Sequence, residues 1–292
     1  TNPMALQDKK IMPPPWLAHR EIERYSIGWR MGYGEDYIVR FGDWLDTLSP
    51  EEQMEYRALF PEPVTWKGWW DDEDTGEVLE HGGFWVEAWQ PEGRPKYTCQ
   101  WIQQEFAAGK MRELCLFWGH RPAQDGRLTK SCLSQWWMED FWSIANSYLC
   151  MEQYMMAGKA QLFGDEEIRK EILECSDPKQ MKALGRKVRG FDQKVWDKFK
   201  YAIVLRGNWC KFSQNRDLRE FLLSTGDSVL VEASPYDNIW GIRLAASSPE
   251  ARDPMKWQGQ NLLGFALMEV RDELRRITQN EMLCDWGTVW EP

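Results

Sequence analysis

Apolar residues recur with the period of an α-helix near the end of the chain, from Gly259 to about Arg276. They stand at positions 262, 263, 266, 267, 270 and 274, which share one helix face. Periodicity and capping residues predict further helices over residues 35–47, 50–59, 97–108, 150–163, 192–212 and 215–223, and two more that begin at residues 165 and 177. Helices therefore dominate, and the few short strand segments indicate an α+β fold.

Short β-prone runs bounded by turn residues predict four strands. They cover residues 66–70, 83–90, 113–120 and 228–232. An acidic turn at residues 71–76 separates the first two strands. The fourth strand leads into a loop over residues 233–241, and loops that leave a strand tend to carry functional residues.

The composition divides the chain into three parts: residues 1–112, 113–279 and 280–292. Nine of the nineteen tryptophans lie between residues 16 and 109, and residues 35–92 hold sixteen acidic but only three basic side chains. The first part is therefore a small, mixed, tryptophan-rich acidic region, whose tryptophans are expected in its core, because its negative charge disfavours stacking on nucleic acid. Its role is not predicted, and residues 280–292 are predicted to be a tail, which Trp286 and Trp290 can dock onto the fold.

The charge is unevenly distributed. The whole chain carries a net charge of −10, which argues against a general polyanion-binding protein. Residues 179–219, however, contain twelve basic and three acidic side chains. This basic segment can attract a phosphate-bearing ligand, form a solvated helix face, or face the acidic region across a domain contact.

Other protein classes are excluded by composition. No apolar run approaches the ~20 residues of a membrane helix, and residues 1–10 lack the apolar core of a secretory signal. The seven cysteines include no Cys-x-x-Cys pair and the three histidines are scattered, so no zinc site is expected. We therefore expect a cytoplasmic protein with reduced cysteines and with no metal, cofactor or membrane partner.

The strongest candidate for a chemical site is the segment 148–160. Glu152 and Lys159 are seven residues apart, which in a helix is ~20° short of two turns and places them on one face. Met155 and Met156 lie on or near that face. An acid and an amine beside an apolar pocket can have pKa values shifted toward neutrality. From spacing alone, however, two surface ions beside a methionine-rich core stripe are the simpler interpretation.

From Phe117 onward a series of short motifs follows along the chain. They are Phe117-Trp118, Leu133-Ser134-Gln135-Trp136, Glu152-x6-Lys159-Ala160, Leu184-Gly185-Arg186, Trp196, Lys211-Phe212, Asn215-x2-Leu218, Thr225-Gly226-Asp227, Leu230-Val231-Glu232, Asp237-x2-Trp240-Gly241 and Gly259-x-Asn261-x-Leu263-Gly264. No single motif is specific, but eight or more of them in this order resemble the NADAR superfamily, also called the YbiA-like family. The resemblance implies a predominantly helical α+β catalytic domain over residues 113–279, and residues 1–112 resemble an extension that some members carry.

What the resemblance implies is hydrolysis of the N-glycosidic bond between ribose and a heterocyclic base. Two substrate classes are associated with the family: ADP-ribose attached to guanine, in nucleic acid or nucleotides, and early phosphoribosylated pyrimidine intermediates of riboflavin biosynthesis. The first is slightly favoured, because the basic segment 179–219 can accept a pyrophosphate or a nucleic-acid backbone. A non-catalytic module that binds ADP-ribose or NAD is the alternative from another class, but such a module does not need both Glu152 and Lys159.

The predicted catalytic residues are Glu152, Lys159 and Asp237. Glu152 is a candidate to protonate the leaving base or to activate water. Lys159, by the resemblance, attacks the anomeric carbon after ring opening and forms a transient Schiff base. A fixed cation that holds a phosphate or orients Glu152 is the equally weighted alternative. Asp237 is a candidate to bind ribose hydroxyls or to act as a second acid or base, although by spacing alone it is merely a turn residue.

The resemblance also suggests a set of substrate-binding residues. They are Trp118, Ser134, Arg186, Trp196, Trp240, Gly241, Gly259 and Asn261. Trp196 and Trp240 are candidates to wall the base pocket, with core packing as the alternative. Gly259 and Asn261 are expected at the start of the last helix, where free N–H groups can hold phosphate, with a plain N-cap as the alternative for Asn261. Ser134 and Arg186 are candidates for phosphate contacts.

Three positions depart from the usual pattern of the family. Gln153 stands where other members have histidine, and Met156 stands where glutamine is frequent, which together suggest a subgroup trait. Arg243 follows Trp-Gly-Ile, where glycine is common. A bulky cation there either adds a phosphate contact or narrows the pocket. The identity of the substrate and the oligomeric state therefore stay open.

Overall fold

The computed structural model describes residues 5–73, 79–80, 84–85, 89–90 and 94–290. The chain divides into two compact units. Unit 1 comprises residues 1–76, 142–146 and 273–292, and unit 2 comprises residues 77–141 and 147–272. The boundaries drawn from composition, at residues 112 and 279, remain predictions. Residues 74–76 of the predicted turn at 71–76, and residues 83 and 86–88 of the predicted strand at 83–90, lie outside the described residues.

Unit 1 is built mainly from short helices. They are α1 (Pro15–Ala18), α2 (Tyr33–Asp46) and α3 (Pro50–Leu59). The capping box predicted for α3 is confirmed: Ser49 Oγ accepts a hydrogen bond from the N–H of Glu52, and the Glu52 carboxylate accepts one from the N–H of Ser49. Helix α3 therefore begins at Pro50, as its sequence indicates.

The predicted strand at residues 66–70 is wrong. The structure has two 3-10 turns there, Val64–Trp66 and Trp69–Asp71. Gly68 between them has φ +85°, in the left-handed region, which interrupts an extended chain. The rings of Trp66 and Trp69 lie 5.5 and 5.3 Å from that of Trp16. This aromatic packing outweighs the β-propensity of the individual residues.

Residues 280–290 lie in the segment that is predicted to be a tail. They form two 3-10 turns, Glu281–Leu283 and Trp286–Val289, and Cys284 is buried. The Arg40 guanidinium donates hydrogen bonds to the carbonyl oxygens of Thr288 and Val289, at 2.8 and 2.9 Å. These contacts anchor the segment within unit 1.

Unit 2 contains most of the regular structure. Its elements are β1 (Leu79–Glu80), β2 (Phe84–Trp85), α4 (Cys99–Ala107), β3 (Leu114–Phe117), α5 (Met151–Leu162), α6 (Glu166–Glu174), α7 (Pro178–Gly185), α8 (Gln193–Gln214), α9 (Arg216–Ser224) and β6 (Val229–Glu232). A last helix, α10 (Leu262–Thr278), continues into unit 1. Residues 142–146, which belong to unit 1, lie in a hairpin of β4 (Phe141–Ser143) and β5 (Asn146–Tyr148). The predominantly helical α+β prediction is confirmed. Within the described ranges, no helix is both long and apolar enough to cross a membrane.

Helix α5 is the centre of unit 2. It packs against α6, α7 and α8, and all of its residues except Lys159 and Gln161 are buried. Gln153 links it to its neighbours: Oε1 accepts from the N–H of Leu149, and Nε2 donates to the carbonyls of Ile172 and Cys175 at the end of α6. Gln153 thus ties α5 to the end of α6 through hydrogen bonds.

Strand β3 pairs with β6 next to the site. The two strands are parallel, and Phe117 pairs with Glu232 at their carboxyl ends. The segments that leave both strands therefore start at the same edge. Trp118 follows β3 and the loop 233–241 follows β6.

Candidate active site

Helix α5 brings Glu152 and Lys159 to one side, as their spacing predicts. Glu152 is 4% exposed and Lys159 is half-buried. Each charge acts on the pKa of the other side chain, so the two groups lie within electrostatic reach. The helix also lacks a side-chain cap, and instead the N–H of Glu152 donates to the carbonyl of Gln135 at 2.9 Å. This bond fixes the first turn, where Glu152 stands.

The surroundings of Glu152 favour its protonated form. Burial raises the pKa of Glu152 to about 7, and the negative charge of Asp237 adds to the effect. The cation of Lys182, a hydrogen bond from Trp136 and the cation of Lys159 act in the opposite direction. Burial is the largest cause, so the carboxyl group can exchange a proton near neutral pH.

Ser134 positions Trp136. Its Oγ accepts a hydrogen bond from the backbone N–H of Trp136 at 3.1 Å. Its carbonyl oxygen accepts one from the ammonium of Lys211, which is fully buried and also donates to the carbonyl of Cys132. Trp136 in turn donates a hydrogen bond to the Glu152 carboxyl group. Ser134 therefore helps to hold the donor of that bond in place.

Lys159 lies among aromatic rings. Its Nζ is 4.6 Å from the ring centre of Phe191 and 5.7 Å from that of Trp196. Burial lowers the pKa of Lys159, Glu152 raises it, and the cation of Arg186 lowers it further. Arg186 caps the end of α7 and Lys182 lies one turn before it. These two exposed cations and Lys159 form a basic group beside Glu152.

The loop 233–241 holds Asp237 in a fixed position. Oδ1 of Asp237 accepts hydrogen bonds from the N–H groups of Ile239 and Trp240, both at 2.8 Å. The N–H of Asp237 donates to Ser234 Oγ at 3.2 Å. The predicted turn is therefore real, and the same carboxyl group acts electrostatically on Glu152.

The predicted phosphate site at the start of the last helix is not available. Helix α10 begins at Leu262, three residues after the predicted start at Gly259. The N–H groups of residues 260, 261, 262 and 263 already donate to the carbonyls of residues 238, 241, 239 and 240. At Gly259 itself, an added Cβ would stand 2.2 Å from the carbonyl oxygen of Gly241. Gly241 and Gly259 therefore serve a close approach of two backbones.

Asn261 does not offer its side chain to a ligand either. It is fully buried, Nδ2 donates to the carbonyl of Leu230 at 2.9 Å, and Oδ1 accepts from the N–H of Glu232 at 2.9 Å. A plain N-cap, the alternative for Asn261, does not account for these two side-chain hydrogen bonds. The side chain instead ties the start of α10 to the end of β6.

Glu232 is the residue that sequence reasoning missed. Its pKa is raised to about 8, mainly by burial and also by the negative charges of Asp237 and Glu152, whereas the cation of Lys182 acts to lower it. Three carboxyl groups from α5, β6 and the following loop therefore converge. The available signal was an acid at the end of an otherwise apolar strand.

Within the described part of the chain, no group of three or more acidic, cysteine or histidine side chains could hold a metal ion.

The remaining predicted residues differ in their surroundings. Trp196 is buried, and Trp240 is half-buried. Trp118 is 56% exposed, and its ring centre lies 6.2 Å from that of Tyr236, which is 82% exposed. The structure thus gathers Glu152, Lys159 and Asp237 with several aromatic residues.

Asp237→Ala should destabilise the chain by roughly 1–3 kcal/mol, because two backbone N–H groups lose their acceptor. Asp237→Asn keeps an oxygen acceptor and should cost much less. Urea denaturation of both variants beside the wild type measures the difference. Equal losses for the two variants would show that the turn does not depend on Oδ1.

Arg243→Gly should stabilise the chain by roughly 0.5–1 kcal/mol. Arg243 has φ +55°, in the left-handed region that glycine adopts without steric cost. Arg243→Ala is the matched control, since it removes the side chain but keeps the strain. An equal gain in both variants, measured by urea denaturation, would exclude backbone strain as the cause.

The chain is similar in sequence to known proteins across this region. The NADAR domain matches residues 116–275. N-glycosidase R617 of Acanthamoeba polyphaga mimivirus is 50% identical over 145 residues, which are 48% of this chain and 85% of that protein. N-glycosidase YbiA of Shigella flexneri serotype 5b is 33% identical over 129 residues, which are 44% of this chain and 72% of that protein.

A solved structure also resembles the chain. The NMR structure of the Escherichia coli protein YbiA has a TM-score of 0.46 and 26% identity, and the match covers 57% of this chain and 88% of that one. The NADAR match alone extends over more than half of the 292 residues, and it includes Glu152, Lys159, Glu232 and Asp237. The chain belongs to the NADAR family.

Proposed function

We propose that this protein is an N-glycosidase that hydrolyses the bond between a ribose and a heterocyclic base, and that its substrate is ADP-ribose attached to guanine. Two relatives, 50% and 33% identical to this chain, are named N-glycosidases, and this supports the reaction class. The observation that carries the proposal is the buried acid Glu152 beside the half-buried amine Lys159 on α5.

The chemistry of the bond fits these groups. Cleavage of an N-glycoside needs a proton for the leaving base and stabilisation of the positive charge that develops at the anomeric carbon. Glu152, with its pKa raised to about 7, can exchange a proton in the neutral range. Asp237 adds a carboxyl group from the loop 233–241, which can bind ribose hydroxyls or support the positive charge.

Lys159 acts as the nucleophile. The lowered pKa of Lys159 increases the fraction of neutral amine at neutral pH, and this is the form that attacks. After the ribose ring opens, Nζ bonds to the anomeric carbon, the base departs with a proton, and an imine remains. Water then adds to the imine carbon, and the amine leaves. The net reaction consumes one water molecule.

The surrounding residues suit a base and a phosphate. Trp196 and Phe191 place aromatic faces beside Lys159, and Trp240 follows Asp237 on the same loop, so these rings are candidates to contact the base. Lys182 and Arg186 on α7 supply positive charge for the pyrophosphate of ADP-ribose. This role replaces the one expected of Gly259 and Asn261.

The decisive experiment compares two substrates with one protein preparation. An oligonucleotide that carries ADP-ribosylated guanine should release ADP-ribose, and the phosphoribosylated aminopyrimidine intermediate should be cleaved more slowly. The reverse preference would assign the second substrate class. If the protein binds either compound without product release, it is a binding module.

Borohydride tests the lysine step. Reduction during turnover should leave a stable adduct on Lys159, detected by mass spectrometry. Lys159→Arg keeps the positive charge but loses the nucleophile, and should lose activity as Lys159→Met does. Lys170→Met, which removes an exposed lysine of α6, is the matched control and should retain activity. An active Lys159→Arg without an adduct would make Lys159 a fixed cation.

A further inference from the structure

Glu232 stands out among the acidic groups of the site because one of its oxygens has no hydrogen-bond donor. Oε2 is buried and has no partner within the described part of the chain. A buried carboxylate oxygen without a donor is costly, so such an atom is expected to meet a polar group that arrives with a ligand.

The backbone of Glu232 is held on both sides. Its N–H donates to Asn261 Oδ1 at 2.9 Å, and its carbonyl oxygen accepts from the N–H of Ile242 at 3.0 Å. The residue also pairs with Phe117 in the parallel strands. Glu232 is therefore positioned by β3, α10 and the loop that follows β6, which is the rigid support that a reacting group needs.

The groups that face Glu232 come from three elements. Asp237 on the following loop and Glu152 on α5 are negative, and Lys182 on α7 is the cation that acts on it. Three neighbouring carboxyl groups are not expected to be ionised together, so at least one of them holds a proton. Asp237 Oδ1 already accepts two N–H bonds, whereas Glu232 Oε2 accepts none.

We propose that Glu232 is a further catalytic residue, whose protonated carboxyl group gives the leaving base its proton while Glu152 acts as the base toward water. This assignment rests on the proposed N-glycosidase function. The two pKa values support the division: that of Glu232 is raised to about 8 and that of Glu152 to about 7. The group that holds its proton more tightly serves as the acid.

Each proton that is transferred in the reaction has a donor and an acceptor. When the bond between the anomeric carbon and the base nitrogen breaks, its electron pair stays on the nitrogen, which takes the proton of Glu232. Glu152 takes a proton from the water molecule whose oxygen ends on the anomeric carbon. Solvent then returns a proton to Glu232 and removes one from Glu152. The products are the free base and the free ribose end.

The test is Glu232→Gln, assayed on the oligonucleotide that carries ADP-ribosylated guanine. Glutamine keeps the shape and a hydrogen-bond donor but has no transferable proton. We expect kcat to fall at least about a hundredfold while KM stays within about threefold. In the wild type, activity should fall as the pH rises through about 8, and the variant should lose this alkaline limb. Glu250→Gln, at an exposed position, is the control and should match the wild type.

The outcomes separate the two proposals. If the wild type releases ADP-ribose and Glu232→Gln keeps more than about a third of its kcat, the role of Glu232 is overturned and the proposed function stands. If the wild type releases nothing from either substrate class, the proposed function fails and the inference fails with it. A second measurement does not depend on activity: in protein labelled with 13C at glutamate carboxyls, the resonance missing from Glu232→Gln should still report a protonated group at pH 7. A resonance that is already ionised at pH 6 overturns the proposal.

Discussion

Glu152→Gln should reduce kcat at least about a hundredfold and make the chain more stable at alkaline pH. The loss of activity follows because glutamine cannot take a proton from the attacking water molecule. The gain in stability follows because Glu152 is 4% exposed and its ionised form is disfavoured by burial. This one substitution therefore tests both the catalytic role of Glu152 and the destabilisation that its buried carboxylate causes.

The pH dependence of the stability gain has a definite sign. The pKa of Glu152 in the folded chain is about 7, above its ordinary value of 4.5. At acid pH both states are protonated, and the variant and the wild type should be alike. Between about pH 4.5 and pH 7 the unfolded chain ionises while the folded wild type keeps its proton, so the stability contributed by the protonated form is lost as the pH rises to about 7. The variant avoids this loss, which is at most roughly 3 kcal/mol.

Urea denaturation at pH 5 and at pH 8.5 measures the effect. The variant should have the higher unfolding free energy at pH 8.5, and the difference should shrink at pH 5. Glu171→Gln, at an exposed position of α6, is the matched control and should show no such dependence. A variant that is less stable than the wild type at pH 8.5 would mean that the ionised carboxyl group is stabilised by Lys182, Lys159 and Trp136.

The part of the site that could be predicted from sequence is the part that lies on one helix. The seven-residue spacing of Glu152 and Lys159 is enough to put both on one face, because the geometry of a helix is fixed. The loop turn at Asp237 was also readable from local sequence, since the Asp-Asn pair signals such turns. Both features depend only on neighbouring residues.

The parts that could not be predicted depend on contacts between distant segments. Glu232 is eighty positions from Glu152, and no local signal says that the end of β6 faces α5. Likewise, the start of α10 looked like a phosphate site, because a free helix N-terminus binds anions. In the folded chain its N–H groups are taken by the loop 233–241, and this could not be inferred from helix propensity.

These contacts give the site one continuous support. The carbonyl oxygens of residues 238–241 accept hydrogen bonds from the N–H groups at the start of α10. The Asn261 side chain bonds to the backbone of β6 on both sides of Val231, at the carbonyl of Leu230 and the N–H of Glu232. The positions of Glu232 and Asp237 therefore depend on how closely α10 approaches β6. Gly264 is where that approach is tightest: an added Cβ would lie 2.0 Å from the carbonyl oxygen of Leu230.

Gly264→Ala should therefore destabilise the chain by roughly 3 kcal/mol or more. The new methyl group would also lie 2.6 Å from both polar atoms of the Asn261 amide, so α10 must move and the hydrogen bonds of Asn261 to β6 must weaken. Glu232 loses one of its two backbone anchors, and activity should fall with stability. Urea denaturation and the ADP-ribose release assay measure the two effects.

Gly185→Ala is the matched control for this substitution within unit 2. Its added Cβ would meet the Sδ atom of Met156 at 1.9 Å, but a thioether at the end of a flexible side chain can rotate away, whereas the backbone carbonyl of a buried strand cannot. The unfolding free energy should therefore fall by less than about 1 kcal/mol in this variant. If Gly264→Ala were no more destabilising than Gly185→Ala, the approach of α10 to β6 would be adjustable, and the fixed placement of Glu232 would lose its support.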